Sequence, residues 1–412
     1  VLTGGLMLPL HASAKSQPAP NPADYPPVRT GLRGSHPGAF EAAHALALEG
    51  KTFPSPQNLN EQYDLVIVGA GISGLAAALY YRDRFGKRAR ILVLENHDDF
   101  GGHARRNEFH QGGKMRLSLG GTHNLEHWNF SDTVNAMMQR LGVDIAELRR
   151  NSSFSYGREG RNGRALWFDE ETYGKNKLLT NVGLEAEGKP ISRETIEQFP
   201  VSEEAREQLI RLFHSRENLL EHLDEQAAAA YLSSVSYTEF LQQHAGMGDE
   251  ALQLFDNASH GSWGIETRSL SASEAMEDGM PGYNLLGGSI EQEEWDYPAA
   301  FYPDGNASIA RLMVQKLIPQ VAPGSDASNI AIAKFDYAQL DKNSSPARIR
   351  LNSTVINVAN TRNGVAVTYL HEGQPLRVMA RHCVTACYHS NLPYLCPDFP
   401  EEQKEAQKYQ VK

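Results

Sequence analysis

Four residues define the chemistry open to this chain: Gly69, Gly71, Gly74 and Glu95. The glycines stand at G-x-G-x-x-G spacing within Gly69-Ala70-Gly71-Ile72-Ser73-Gly74. In such a turn the first glycine permits a tight reversal. The second lets a pyrophosphate approach the backbone, and the third lets the next helix pack close to the strand before it. The amides of the first helical turn then face the phosphates. Glu95 follows Gly74 by 21 residues, a spacing at which a carboxylate accepts hydrogen bonds from ribose hydroxyls. The plain alternative is a glycine-rich turn with a solvated glutamate.

The flanking elements favour the dinucleotide reading. Leu65 to Val68 is a short apolar, β-branched run that reads as a buried parallel strand. Leu75 to Phe85 reads as a helix, and Ala89 to Leu94 as a second strand that ends in the acid. Upstream, Lys15 to Thr30 is rich in Pro, Ser and Asn and reads as an extended arm. A helix opens at Ser35-His36-Pro37-Gly38 and stops at Gly50, with Phe40, His44, Ala47 and Leu48 on one face. Lys51 to Gln62 reads as a link. From Asp132 to about Leu270 the pattern is mainly helical, with Glu203–Glu225 and Ser236–His244 as helical spans. An amphipathic helix, Ala307 to Ile318, follows Tyr302-Pro303-Asp304-Gly305-Asn306. Ile349 to Val358 reads as a strand, Arg362-Asn363-Gly364 as a hairpin turn, and His382 to Cys387 as a strand returning to the core.

Composition narrows the partners. The formal net charge of −11 disfavours nucleic acid and suits a cationic partner. An acidic, aromatic-flanked stretch could hold a polycation through Asp278, Glu291, Glu293, Glu294 and Asp296. A solvated acidic loop would look the same. Cys383, Cys387 and Cys396 include no C-x-x-C pair, so neither a zinc site nor a disulfide framework is supported. Gly183-x4-Gly188-Lys189 imitates a phosphate loop, but Pro190 stands where a Ser or Thr is needed. Glu217, Glu221 and His222 read as a solvated face of one helical span. Val1 to Leu10 is apolar and too short to span a membrane, and Ala12-Ser13-Ala14 resembles a cleavage site. Together they read as a signal-peptide remnant, so a periplasmic location is expected.

Beyond Glu95 run Asn96-His97-Asp98-Asp99-Phe100 and then Gly101-Gly102-His103. This order resembles the extended fingerprint of the flavin amine oxidase superfamily, in which a Gly-Gly pair is usually followed by Arg. His103 departs from it, with Arg105 and Arg106 close behind. The resemblance implies FAD, and an α/β fold with an FAD-binding Rossmann-like domain of the amine oxidase type and an inserted, mainly helical substrate domain. The expected layout is a remnant at 1–14, an arm and helix at 15–62, and FAD-binding parts at 63–131 and 301–412. The substrate domain is expected at 132–300. Ala70, Ile72, Ser73 and Asn96 join the expected FAD contacts. Gly120, Gly121, Thr122 and His123 are expected beside the flavin ring, and Val355 is expected to contact the adenine through its backbone.

The arm, Tyr25-Pro-Pro-Val-Arg-Thr-Gly-Leu-Arg-Gly-Ser-His-Pro-Gly-Ala-Phe, is similar to that of bacterial spermidine dehydrogenases. That family implies haem b beside FAD, and electrons passed to a protein or quinone rather than to oxygen. The implied reaction oxidises a secondary amine of spermidine to an imine, which hydrolyses to an aldehyde and a diamine. The sequence has no C-x-x-C-H, so any haem is held by side chains alone. His44, on the apolar helix face, is the expected iron ligand, and His36 the second choice. Asp278 and Glu294 are the expected ammonium holders. No side chain need act as a nucleophile, and no G-x-S-x-G or H-E-x-x-H occurs. The superfamily's last flavin motif is not found before Lys412, so the chain reads as a fragment. The competing classes are an FAD-dependent desaturase or isomerase of an apolar substrate, and a non-catalytic flavin-fold protein.

Overall fold

Alternate residues of the first strand face opposite cores. Over Leu65–Val68, Leu65 and Ile67 join one cluster, and Val66 and Val68 join another. Burial on both faces is what a parallel sheet with covered sides requires. The computed structural model describes residues 25–29, 38–151, 165–184, 190–287 and 300–408. It divides the chain into two units, one of Val1–Ser153 with Pro298–Lys412 and one of Phe154–Tyr297.

The strands among the described residues are β1 (Gln57–Val68), β2 (Ile91–Leu94), β3 (Glu108–Gln111), β4 (Lys114–Leu117), β5 (Ala165–Phe168), β6 (Lys177–Thr180), β7 (Ala347–Arg350), β8 (Ser353–Thr361), β9 (Gly364–His371) and β10 (Gln374–Thr385). In the first unit, six strands form one sheet in the order β7-β2-β1-β10-β9-β8. β1 pairs in parallel with β2 and β10, and β2 pairs in parallel with β7. β8, β9 and β10 form an antiparallel meander, turning at Arg362-Asn363 as expected. The sheet is mixed α/β with a parallel half, so the expected fold class holds.

Helices Ile72–Phe85, Asp132–Leu141 and Ala307–Leu317 send Leu75, Leu79, Met137, Leu141, Leu312 and Val314 into the first cluster. Their ends are set locally. Ser131 accepts from the Val134 amide, and Gly142 stops that helix in the left-handed region at φ +80°. β1 is longer than its apolar run. Gln57 to Gln62, read as a link, pairs with β10 across an irregularity between Asn58 and Gln62. Backbone pairing made this strand without an apolar pattern to announce it.

The arm also differs from the expectation. Its described part, Tyr25 to Arg29, is not a free extended chain: Pro26–Val28 forms a 3-10 turn and Tyr25 is buried. The Tyr25 hydroxyl donates to Glu108 at 2.8 Å, and Arg29 pairs with Asp98 at 2.8 Å.

The second unit, Phe154–Tyr297, holds the antiparallel pair β5-β6 and short helices around their own core of Phe168, Phe199, Leu209, Tyr237 and Phe240. Its boundary falls later than the expected 132, because helix Asp132–Leu141 packs in the first unit. The expected span Glu203–Glu225 breaks at Ser215, which is extended, and a new helix starts at Glu225, capped by Asp224. Glu217, Glu221 and His222 therefore lie in the connection, not on a helix face. Helix Tyr237–Gln243 has the capping box of Ser236 and Glu239. Gly188 and Lys189 of the phosphate-loop imitation lie outside the described residues.

The two pieces of the first unit are fastened by a buried ion cluster. Arg106 Nη1 donates to Asp304 Oδ2 at 2.6 Å, and Arg106 Nη2 donates to Glu108. All three side chains are almost wholly buried. Burial alone would push the Glu108 carboxyl up, but the Arg106 guanidinium and the Tyr25 hydroxyl outweigh it and hold it below the ordinary range. A depressed carboxyl stabilises the fold above its unfolded pKa, and that contribution disappears as pH falls through the folded value. Acidification below about pH 4.3, the ordinary Glu value, is expected to erode stability in the wild type. Glu108→Gln is expected to lose about 3–5 kcal/mol near neutral pH, because it strands a buried charge. Its further decline in acid should be shallower. Urea unfolding of both proteins across the acid range checks this.

Candidate dinucleotide-binding site

The three glycines of the turn answer to three different constraints. Gly69 lies at φ +103°, and a Cβ there would come within 2.6 Å of the Ala386 carbonyl oxygen. Gly74 would place a Cβ 2.0 Å from the Gly69 carbonyl oxygen, so helix Ile72–Phe85 touches the turn backbone to backbone. Both match their expected roles. Gly71 is unlike them: φ −69° and ψ 175° suit any residue, and a Cβ would meet only Gly102 Cα, at 3.8 Å. Neither conformation nor packing demands glycine here. What glycine leaves is space in front of the Ile72 and Ser73 amides at the start of a 14-residue helix.

Glu95 closes the other side of the turn. Its carboxylate accepts from the Ala70 amide at 2.7 Å and from the His97 amide at 3.0 Å. Burial pushes this carboxyl up; the two amides and the Arg105 guanidinium pull it down, and Asp99 adds to the upward push. A carboxylate has about four acceptor positions, so two bonds leave room for ribose hydroxyls. Asn96 behaves differently from its expected cofactor role. Its amide donates to the Ala39 carbonyl at 2.5 Å and its oxygen accepts from the Thr354 hydroxyl. The side chain is occupied in joining the segment before helix Glu41–Ala47 to β8.

Gly101 and Gly102 lie against the turn. The Gly101 amide donates to the Ala70 carbonyl at 2.8 Å, and a Cβ on Gly102 would be 3.1 Å from Gly71 Cα. His103 projects to the exposed side, with its Nε2 2.6 Å from the Tyr388 hydroxyl. The next glycine pair crosses directly over this segment. A Cβ on Gly120 would lie 2.4 Å from the Arg105 carbonyl oxygen, and one on Gly121 2.4 Å from that of His103. Gly305 in turn would put a Cβ 2.2 Å from the Leu119 carbonyl oxygen. Asn306 bonds Thr122 through backbone and side chain, and the His123 ring stands edge-on to Phe301. The expected residues 101–103 and 120–123 are thus brought together with the turn. The Asp304–Gly305 crossing was missed as a site element, since nothing in a linear pattern pairs it with Leu119.

Val355 is buried on β8, where the ladder slips between Val355 and Asn357. Such a bulge loosens the backbone pairing beside it. Asp278 is exposed at the end of helix Ala272–Glu277 in the second unit, and Glu294 lies outside the described residues. His36 also lies outside them. His44 is on helix Glu41–Ala47, but its apolar neighbours Phe40 and Leu48 are 43% and 75% exposed. The helix instead packs inward through Leu46. An apolar wall around a porphyrin is therefore not formed by this face, and the residues do not fit haem as placed. The cysteines fit inert core roles: burial pushes Cys383 up to about 12 and Cys387 up to about 11. Among the described residues no group of three or more His, Cys, Asp or Glu could hold a metal ion. Among the same residues no helix is long and apolar enough to cross a membrane.

The contrast between glycines is measurable on the unliganded protein. Gly74→Ala should lower stability by roughly 3 kcal/mol or more, as an overpacked core site would. Gly71→Ala should stay within about 1 kcal/mol of the wild type. Thermal unfolding of both variants checks the pair, and equal losses would count against the distinction.

Comparison with known proteins agrees with the fold of this region. A sequence family described as an NAD(P)-binding Rossmann-like domain matches residues 67–141. No curated protein matches the chain. Among solved structures, a double mutant of putrescine oxidase aligns at 18% identity and a TM-score of 0.40, over 86% of this chain and 64% of that one. A protein from Exiguobacterium sp. assigned as a protoporphyrinogen oxidase aligns at 15% identity and a TM-score of 0.46, over 85% and 64%. A fatty acid isomerase from P. acnes that produces CLA aligns at 15% and 0.37, over 84% and 63%. The chain thus spans about 64% of the length of the first of these structures. Residues 67–141, from the end of β1 through helix Asp132–Leu141, are Rossmann-like in fold and are the stretch that this family matches.

Proposed function

We propose that the first unit binds FAD and that the whole protein is an FAD-dependent oxidoreductase of polyamines, with spermidine as the substrate. The observation that carries the reading is Gly71, whose missing side chain serves neither conformation nor packing and leaves a cradle at a helix N-terminus. Glu95, held by two amides with acceptor capacity to spare, would take the ribose hydroxyls. When bound, FAD would supply the hydride acceptor for the carbon next to the amine nitrogen. The chain's own part is to bind, orient and exclude water. Gly120, Gly121 and Gly305 let the segment Leu119–His123 pack backbone to backbone against its neighbours, where the flavin ring would lie alongside.

Amine oxidation, spermidine as substrate, transfer to a protein or quinone acceptor, and a periplasmic location rest on the sequence resemblance. The net charge of −11 and the acidic stretch that includes Asp278 and Glu294 suit a polycation. Haem has no such support from the exposed face around His44, and no step is assigned to it.

The purified protein is expected to take up FAD, and not NAD, in a one-to-one complex seen by its visible spectrum. Anaerobic spermidine should bleach that spectrum, whereas a monoamine of similar length should bleach it slowly. Asp278→Asn should raise KM for spermidine several-fold and leave the monoamine unaffected. Failure to bind FAD would overturn the reading; FAD binding without bleaching by any amine would leave a flavoprotein of another chemistry.

A further inference from the structure

Resting on the FAD reading above, we infer that Arg105, and neither His103 nor Arg106, is the cation that meets the diphosphate of the dinucleotide. Three basic residues follow the Gly101-Gly102 pair within four positions, and the fold has separated their fates. Arg106 is buried between Asp304 and Glu108 and also donates to the Ala331 carbonyl. Two carboxylates already exceed its single charge, so it has no net attraction left for a phosphate. His103 is exposed, and its Nε2 faces the Tyr388 hydroxyl.

Arg105 combines a buried spare donor with a charge that no carboxylate of a described residue pairs. Its Nε donates to the Gly102 carbonyl at 3.0 Å, which fixes the guanidinium beside the glycine that abuts Gly71. Its backbone is fixed too, because Gly120 crosses the Arg105 carbonyl. Yet its Nη1 is buried and has no hydrogen-bond partner. No carboxylate of a described residue lies within ion-pair distance, although the charge of Arg105 is felt at Glu95. A buried guanidinium N–H without an acceptor is costly, and proteins rarely leave one. The missing partner should be anionic, should sit between Gly102 and the Gly71 cradle, and should present oxygens to a planar fork. A diphosphate meets all three conditions.

The test measures binding of FAD, ADP and adenosine to the flavin-free wild type and to Arg105→Gln, Arg105→Lys and His103→Gln, by calorimetry. Arg105→Gln should weaken FAD and ADP by about tenfold to a hundredfold, the range for a lost charge-assisted bond. It should leave adenosine unchanged. Arg105→Lys should recover part of the loss, and His103→Gln should change none of the three. If Arg105→Gln weakens adenosine as much as ADP, the residue acts through Glu95 on the ribose and the inference falls. Binding of ADP by Arg105→Gln at wild-type strength also overturns it, as does a loss confined to His103→Gln. Should Arg105→Gln fail to fold, Arg105→Lys decides, because a wild-type ADP affinity in adenosine-competent Lys protein together with an altered His103→Gln would move the role to His103. A wild type that binds none of the three ligands overturns the dinucleotide reading itself, and the inference with it.

Discussion

The ion cluster of Arg106, Asp304 and Glu108 is the interaction on which the first unit turns. Arg106 and Asp304 flank the second unit in the sequence and meet within the first, and their side chains are almost fully removed from water. A buried pair of this kind adds little net stability, but loss of one partner is severe. Its value is positional. It holds Asp304 so that Ser308 caps the same carboxylate at 2.6 Å, and helix Ala307–Leu317 starts from a fixed point. Gly305 abuts Leu119 and Thr122, and Gly120 and Gly121 between them lie against Arg105 and His103. A chain of backbone contacts thus runs from the ion cluster to the glycine turn.

That chain explains why the site is dense in glycine. Four stretches of main chain, at 69–74, 101–105, 119–123 and 302–306, approach more closely than side chains allow. At Gly74, Gly120, Gly121 and Gly305 a Cβ would fall within 2.4 Å of a carbonyl oxygen. These glycines are structural, whatever the site binds. Gly71 is the exception, the position at which neither backbone conformation nor packing requires a glycine.

Much of this was legible in the sequence, and what was not has physical causes. The turn, its helix and the acid at 95 are local, so spacing and residue type sufficed. The hairpin of β8 and β9 was local for the same reason. Strand Gln57–Gln62 was invisible, because its polar residues are held by pairing with β10, some three hundred residues away. Helix Asp132–Leu141 was recognisable as a helix but not as part of the first unit, since its apolar face carries no label of the core that it joins. The face of Phe40, His44 and Leu48 had the right periodicity for burial and is exposed. Helix Glu41–Ala47 uses Leu46 instead, a choice decided by tertiary packing. Among the basic residues at 103–106, spacing could not say which cation was neutralised, because Asp304 reaches Arg106 only through the crossing of a segment about two hundred residues away.

The sheet order also fixes a sequence of events during synthesis. β1 lies between β2 and β10, so one of its edges stays without a partner until residues 374–385 have been made. β7, the neighbour of β2, comes late as well. Until then the glycine turn would hang on a two-stranded fragment, with Val66 and Val68 lacking the cover of Val367 and Val378. The second unit is made entirely within that interval and has its own core. It can therefore fold first, while the glycine turn waits for β10. A nascent chain of this design keeps an open apolar edge on β1 until β10 is made, and such an edge is an aggregation hazard that the early folding of the second unit does not remove.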